Sequence, residues 1–168
     1  MSHTALIVID LQNDYFPAGA YPQYQAEQVL AHTLSAIDIA QQRGWPVVLV
    51  QHVGGAEAPF FKAGSDGVQL HSALLAQAPA SVVVEKQHAD SFLNTTLSDV
   101  LRAQNIRELV VCGMMTQNCV THTALSPVAG DYSVRVLSDA CSAPDAMVHG
   151  IALRALSDRV PLMTLDDL

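Results

Sequence analysis

Apolar residues along the chain gather into short, near-continuous runs at 6–9, 47–50, 82–84, 109–112 and 134–137, each rich in Val, Ile and Leu. Runs of this kind, rather than strict alternation, predict strands buried on both faces of a parallel sheet. A weaker sixth strand falls at 162–165. Between the runs the pattern becomes helical, at 26–43, 69–77, 95–104, 117–128 and 145–156. Gly44 and Pro46 end the first helix, Asn94 or Thr95 is placed to cap the third, and Pro144 suits the opening of the fifth. Strand–helix alternation with short connections implies right-handed βαβ units. The predicted fold is therefore α/β, a three-layer α/β/α sandwich on a mainly parallel six-stranded sheet of Rossmann-like type. No repeat or linker divides the chain, so 1–168 reads as one domain. The one long irregular stretch, 52–68, has the length of a lid or binding loop.

Composition sharpens this picture. Half the residues are hydrophobic and only 14% are charged, against about 25% charged in an average domain. So much apolar sequence predicts extensive burial, in a tightly packed monomer or partly in a homo-oligomer interface, dimer or tetramer. The net charge is -8, and no Lys/Arg cluster is present, so a nucleic-acid or anionic-membrane partner is not expected. No apolar run approaches the roughly 18 residues of a membrane helix, and 5–9 is too short for a signal sequence. Three cysteines, without a repeating spacing, argue for free thiols and a cytoplasmic protein.

In open parallel sheets ligands bind beyond the carboxyl ends of the strands. Those ends deliver Asp10, then Gln51-His52, then Lys86 and His88, then the segment from Gly113 to Cys119, then Asp139 and Cys141. With Thr116 as N-cap, Cys119 occupies the third position of a helix. Its sulfur then sits among unpaired N–H groups at the positive helix end, which favours thiolate. The same amides can hold an oxyanion. Cys119 packed as a small apolar residue is the alternative. Asp10 directly follows an uninterrupted apolar run and Lys86 follows one after Glu85, and buried charges are rare without partners. A buried Asp–Lys pair beside a cysteine can take the thiol proton and return it to a leaving amine, though a structural ion pair has the same sequence.

Three segments together resemble the isochorismatase-like hydrolases, in their cysteine hydrolase branch: Asp10-Leu11-Gln12-Asn13-Asp14-Tyr15-Phe16, Lys86 with Ser91-Phe92, and Gly113 through Val120 ending in Thr121-His122-Thr123-Ala124. The resemblance covers nearly the whole chain. It implies a catalytic triad of Asp10, Lys86 and Cys119, and a non-proline cis peptide at Met114–Met115. The Met115 and Cys119 N–H groups would then form an oxyanion hole. It further implies hydrolysis of a small-molecule amide, ureide or carbamoyl C–N bond through a thioester, without a cofactor. By the same analogy the pocket is lined by Phe16, His52, Phe60, Phe61, Gln69, Thr116 and Gln117.

Nicotinamidase-like relatives carry a metal on an Asp-x-His pair after the second strand. Here that slot reads Gln51-His52-Val53-Gly54, so no metal is expected; His52, His71 and His88 read as ordinary polar contacts. Two readings compete with the main one: a metal-assisted nicotinamidase, and a catalytically silent binding or scaffold protein. Gly64-Ser65-Asp66-Gly67 lacks the Lys-Ser/Thr of a phosphate loop. Cys112 and Cys141 read as structural.

Overall fold

The computed structural model describes residues 3–168. Six strands, β1 (Thr4–Ile9), β2 (Val47–His52), β3 (Val82–Lys86), β4 (Glu108–Met114), β5 (Ser133–Ser142) and β6 (Leu162–Met163), form one sheet in the order β3-β2-β1-β4-β5-β6. Every neighbouring pair is parallel. Helices α1 (Ala26–Gln42), α2 (Ser72–Gln77), α3 (Leu97–Ala103), α4 (Thr121–Ala124) and α5 (Ala146–Leu156) connect them and cover both faces of the sheet. The strand order reverses between β1 and β4, so their carboxyl ends diverge there and open a crevice. Among the described residues no helix is long and apolar enough to cross a membrane.

Strand sequences track position in the sheet. All six residues of the central β1 are buried, as its unbroken apolar run requires. The edge strand β3 departs from the expectation of two buried faces: Val82 and Val83 are each 41% exposed, and only Val84 and Lys86 are buried. Strand β5 runs past the predicted 134–137 to Ser142, taking Cys141 into the sheet after a register shift between Val111 and Gly113. Beyond Met163, the predicted end of the sixth strand instead turns into a 3₁₀ helix at Leu165–Asp167.

The helices differ from expectation mainly at their starts. Gln69 and Leu70 are not helical: Leu70 bridges Gln12, and the His71 ring accepts the Ala73 N–H to cap α2. Asn94 takes a left-handed φ of 56°, and the Thr95 hydroxyl accepts the Leu97 N–H at the start of α3. Asp145, not Pro144, opens α5, accepting the Val148 N–H at 2.8 Å. The predicted helix 117–128 is three pieces: a π-helical turn at Thr116–Val120, the short α4, and a 3₁₀ turn at Pro127–Asp131. The Thr121 hydroxyl bonds back to the Thr116 carbonyl at 2.6 Å, drawing off an acceptor of the first turn, and Pro127 brings no N–H to continue the ladder.

The crevice depends on close backbone approach. Gly113 has φ +121°, and a Cβ there would lie 2.0 Å from the Ile9 carbonyl oxygen on the adjacent β1. Gly113→Ala should therefore cost about 3 kcal/mol or more, through strain and clash together. Gly130→Ala, where a Cβ meets nothing within 4 Å, should stay within about 0.5 kcal/mol of wild type. Urea unfolding of both variants checks this, and equal midpoints would remove the packing argument.

Candidate active site

The carboxyl ends of β1, β3 and β4 converge on one buried cluster. Asp10, directly after β1, adopts a left-handed φ of 54°, a conformation that Asp tolerates better than most residues. Its N–H donates to the Val50 carbonyl at 3.0 Å. Its side chain is fully buried and lies 2.8 Å from the Lys86 Nζ, whose side chain is likewise fully buried. Lys86 spans the β2 end to reach it; His52 is its register partner across the β2–β3 ladder. The same ammonium lies 3.2 Å from the Cys119 Sγ, 3.0 Å from the His52 Nδ1 and 3.1 Å from the His88 carbonyl oxygen. Apart from this ammonium and the facing thiol, neither Asp10 oxygen has a hydrogen-bond partner among the described residues.

These contacts set the protonation states. Burial alone would lower the Lys86 pKa, but the Asp10 carboxylate, with Cys119, outweighs it and holds the amine charged. Burial, followed by the Lys86 ammonium, lowers the His52 pKa, so the ring is neutral and its Nδ1 accepts. Burial, then the Asp10 carboxylate, pushes the Cys119 thiol well above the usual range, while Lys86 pulls only partly the other way. The expected thiolate at a helix third position is thus corrected twice over. The N-cap is Met115 rather than Thr116, which makes Cys119 the fourth residue of a π turn, and burial with the neighbouring carboxylate favours the thiol over the thiolate. Burial leads that upward shift, since Cys119 is only 2% exposed.

The loop after β2 is strapped over this cluster by β1-loop side chains. The buried Gln12 amide accepts the His52 N–H and donates to the carbonyls of His52 and Val68, all at 2.7–2.8 Å. The buried Asp14 carboxylate accepts the N–H of Phe61 at 2.6 Å and of Ala20 at 3.0 Å. A Cβ at Gly67 would lie 2.1 Å from that carboxylate, so the strap passes there only as glycine. Phe61 is buried, with its ring 4.4 Å from that of Tyr15, and Phe60 stacks on Tyr21 at 5.2 Å. The Met114–Met115 peptide is cis, and the Met115 carbonyl accepts the N–H groups of Asn118 and Val120.

Of the nominated residues, Asp10, Lys86, Cys119 and His52 come together. Phe61 joins them through Tyr15, its ring also 6.0 Å from that of His52. Thr116 is fully buried, its Oγ1 2.9 Å from the His149 Nδ1. Gln117 donates weakly to the Met115 sulfur, and its buried Oε1 has no partner among the described residues. Phe16 is placed elsewhere, its ring 4.5 Å from that of His71, where both line a separate cavity with Gly19 and Gly67. Gln69 is exposed. Sequence reasoning missed Gln12, Asp14 and His149 as positioning groups. It also missed Tyr15, whose phenol pKa is raised by burial, then by Asp10 and Cys119. The first three residues of that set that lie near the N-terminus, Gln12, Asp14 and Tyr15, were within the quoted motif, but only the folded loop shows what they touch.

Fold and site together define a doubly wound α/β protein with an acid, an ammonium and a thiol buried at its switch point. The chain belongs to the isochorismatase family of hydrolases: the Isochorismatase domain matches residues 4–167. It is 38% identical over 140 residues to the uncharacterized isochorismatase family protein YddQ of Bacillus subtilis, covering 83% of this chain and 77% of that one. It is 29% identical over 172 residues to the ureidoacrylate amidohydrolase RutB of Cronobacter sakazakii, covering 82% and 73%. The crystal structure of a putative isochorismatase hydrolase from Oleispira antarctica superposes with a TM-score of 0.88 at 34% identity, covering 99% of this chain and 97% of that one.

Asp14→Asn keeps one acceptor oxygen but turns an amide N–H₂ toward the other of the two backbone N–H groups. It should cost about 1–3 kcal/mol and release the strap. Hydrogen exchange at the Phe61 or the Ala20 amide should accelerate ahead of the β1 core; unchanged protection at both would show that Asp14 does not hold them.

Proposed function

We propose that this protein is a cysteine hydrolase that cleaves a small-molecule amide, ureide or carbamoyl C–N bond through a thioester, with Asp10, Lys86 and Cys119 as its catalytic residues. The observation that carries this reading is the single Lys86 ammonium, buried between the Asp10 carboxylate at 2.8 Å and the Cys119 sulfur at 3.2 Å. The relationship to a ureidoacrylate amidohydrolase supports a ureido or carbamoyl substrate class.

In the reaction, the Asp10 carboxylate takes the proton from the Cys119 thiol as the sulfur attacks the substrate carbonyl carbon. The new oxyanion is held by the N–H groups of Met115 and Cys119. Collapse of the tetrahedral intermediate breaks the C–N bond, and Asp10 passes its proton to the departing nitrogen, leaving the acyl group on sulfur. Water then attacks the thioester and gives a proton to Asp10. Collapse releases the acid, and the proton on Asp10 returns to the thiolate. Throughout, Lys86 holds the carboxylate in place and offsets charge as it moves from oxygen to sulfur. Gln117, with its unpartnered Oε1, and the Phe60–Phe61 wall are the residues proposed to meet the substrate, with Thr116 positioning the turn that carries the nucleophile.

Cys119→Ala should abolish turnover of a ureido, carbamoyl and amide panel, with a loss of at least about 10³-fold, while the circular dichroism spectrum stays native. Retained turnover in that variant removes the nucleophile.

Asp10→Asn separates two roles. Because the Asp10 charge raises the thiol pKa, its removal should speed iodoacetamide labelling of Cys119 near neutral pH while turnover is lost. In wild type, labelling should keep climbing from about pH 7 to about pH 10, since the thiolate fraction rises only as pH approaches the raised pKa. A plateau below about pH 8 would mean that the thiolate forms in advance and Asp10 is not its base.

A further inference from the structure

The His52 ring, nominated as a substrate contact, turns its Nδ1 to the Lys86 ammonium. An ammonium donates and never accepts, so the 3.0 Å contact requires a lone pair on Nδ1. The backbone of His52 is fixed in the same orientation from two sides. Gln12 holds both its N–H and its carbonyl, and the Val53 N–H donates to the Lys86 carbonyl. A residue tethered so tightly to the β3 end serves the ammonium.

The wider arrangement is more specific. Asp10, His52 and Cys119 each offer one donor atom, and the three atoms lie within 4.8 Å of one another. A carboxylate oxygen, an imidazole nitrogen and a sulfur in one buried nest are the donor types of a divalent-metal site. The nest is filled by the Lys86 Nζ, at 2.8, 3.0 and 3.2 Å from the three donors. Zinc bonds are about 2.0–2.3 Å long, so inward movements of roughly 1 Å would suffice for an ion in the nitrogen's place. With the ammonium present, an ion would share a dry site with a like charge, and it could not take the Sγ and Nδ1 lone pairs that face Lys86.

The metal found on an Asp-x-His pair in nicotinamidase-like relatives does not fit here either. The corresponding 51–54 segment offers His52 alone. Gly54 has no room for a side chain, because a Cβ there would lie 2.7 Å from the Ala58 Cβ and 3.1 Å from the Phe61 carbonyl.

We infer that the Lys86 ammonium is the site's own cation: it occupies an Asp10–His52–Cys119 nest that would otherwise bind a divalent metal, and His52 is a positioning residue that seats it. This goes beyond the proposed reaction and is tested without substrate. A failure of the hydrolase reading, seen as absent turnover, therefore leaves it standing, and the reverse also holds.

The experiment compares the full wild-type chain with Lys86→Ala and with Lys86→Ala/His52→Ala. Zinc is titrated against a chromophoric chelator, cobalt is used as a spectroscopic stand-in, and iodoacetamide labelling of Cys119 is followed with and without zinc. Wild type should take up no stoichiometric ion, and zinc should leave its Cys119 labelling unchanged. Lys86→Ala should bind one ion per chain, show a thiolate-to-cobalt charge-transfer band, and lose Cys119 labelling in zinc. Adding His52→Ala should weaken that binding by at least about a hundredfold. Should the unpaired Asp10 leave Lys86→Ala unfolded, zinc during refolding should restore a cooperative melt in that variant and not in the double variant. Zinc bound by wild type through Cys119 overturns the inference. So does a Lys86→Ala chain that binds no ion, binds it equally without His52, or stays unfolded in zinc.

Discussion

The Asp10–Lys86 ion pair is the interaction to which the rest of the site is fitted. Both side chains are fully buried, and removing two charges from water costs several kcal/mol per ion before their attraction is counted. A well-packed apolar pair would serve the fold as well or better, so stability does not account for it. What the pair provides is a fixed charge arrangement at the sheet's switch point. Lys86 must reach from β3 past the intervening β2, and Asp10 turns through a left-handed φ where they meet. Leaving either partner alone would strand a buried charge, which binds the fates of two strand ends together.

The surrounding straps follow from this constraint. A dry ion pair needs a cover, and the long loop after β2 supplies one without its own hydrophobic core. It is held at its two ends by three hydrogen bonds of Gln12 to His52 and Val68, between them by the Asp14 carboxylate on the Phe61 N–H, and by Phe61 packed on Tyr15. Two buried polar side chains from one short β1 loop thus determine both the lid and the placement of His52. Each is fully matched with partners, as buried polar groups must be if they are not to destabilise the fold.

Strand positions and the chemistry at their ends were legible in the sequence because burial on both faces writes continuous apolar runs, because Asp10 interrupts the first abruptly, and because Glu85-Lys86 closes the third. The segment at 117–128 was not legible as three pieces. Its apolar spacing is helical throughout, and the break depends on a Thr121 hydroxyl reaching the Thr116 carbonyl and on Pro127. Edge position was also hidden: Val82 and Val83 look like core until β3 is placed at the end of the sheet. The raised pKa of Cys119 was hidden for a different reason. A helix-end argument counts nearby amides, whereas the thiol responds first to burial and then to the Asp10 carboxylate, and neither magnitude exists before the chain is folded.

That correction changes how the proposed chemistry works. A preformed thiolate beside Asp10 would place two anions around one ammonium in a low-dielectric pocket, which is costly. A resting thiol avoids this. With Asp10 ionised, Lys86 charged and Cys119 neutral, the trio has no net charge. Transfer of the sulfur proton to Asp10 leaves the total unchanged and converts a carboxylate–ammonium pair into a thiolate–ammonium pair. The ammonium, 2.8 Å from one anion site and 3.2 Å from the other, needs little movement to serve both. The buried charge is thus present before substrate arrives and is relocated rather than created, so the cost of desolvating it is met on folding and not in the chemical step.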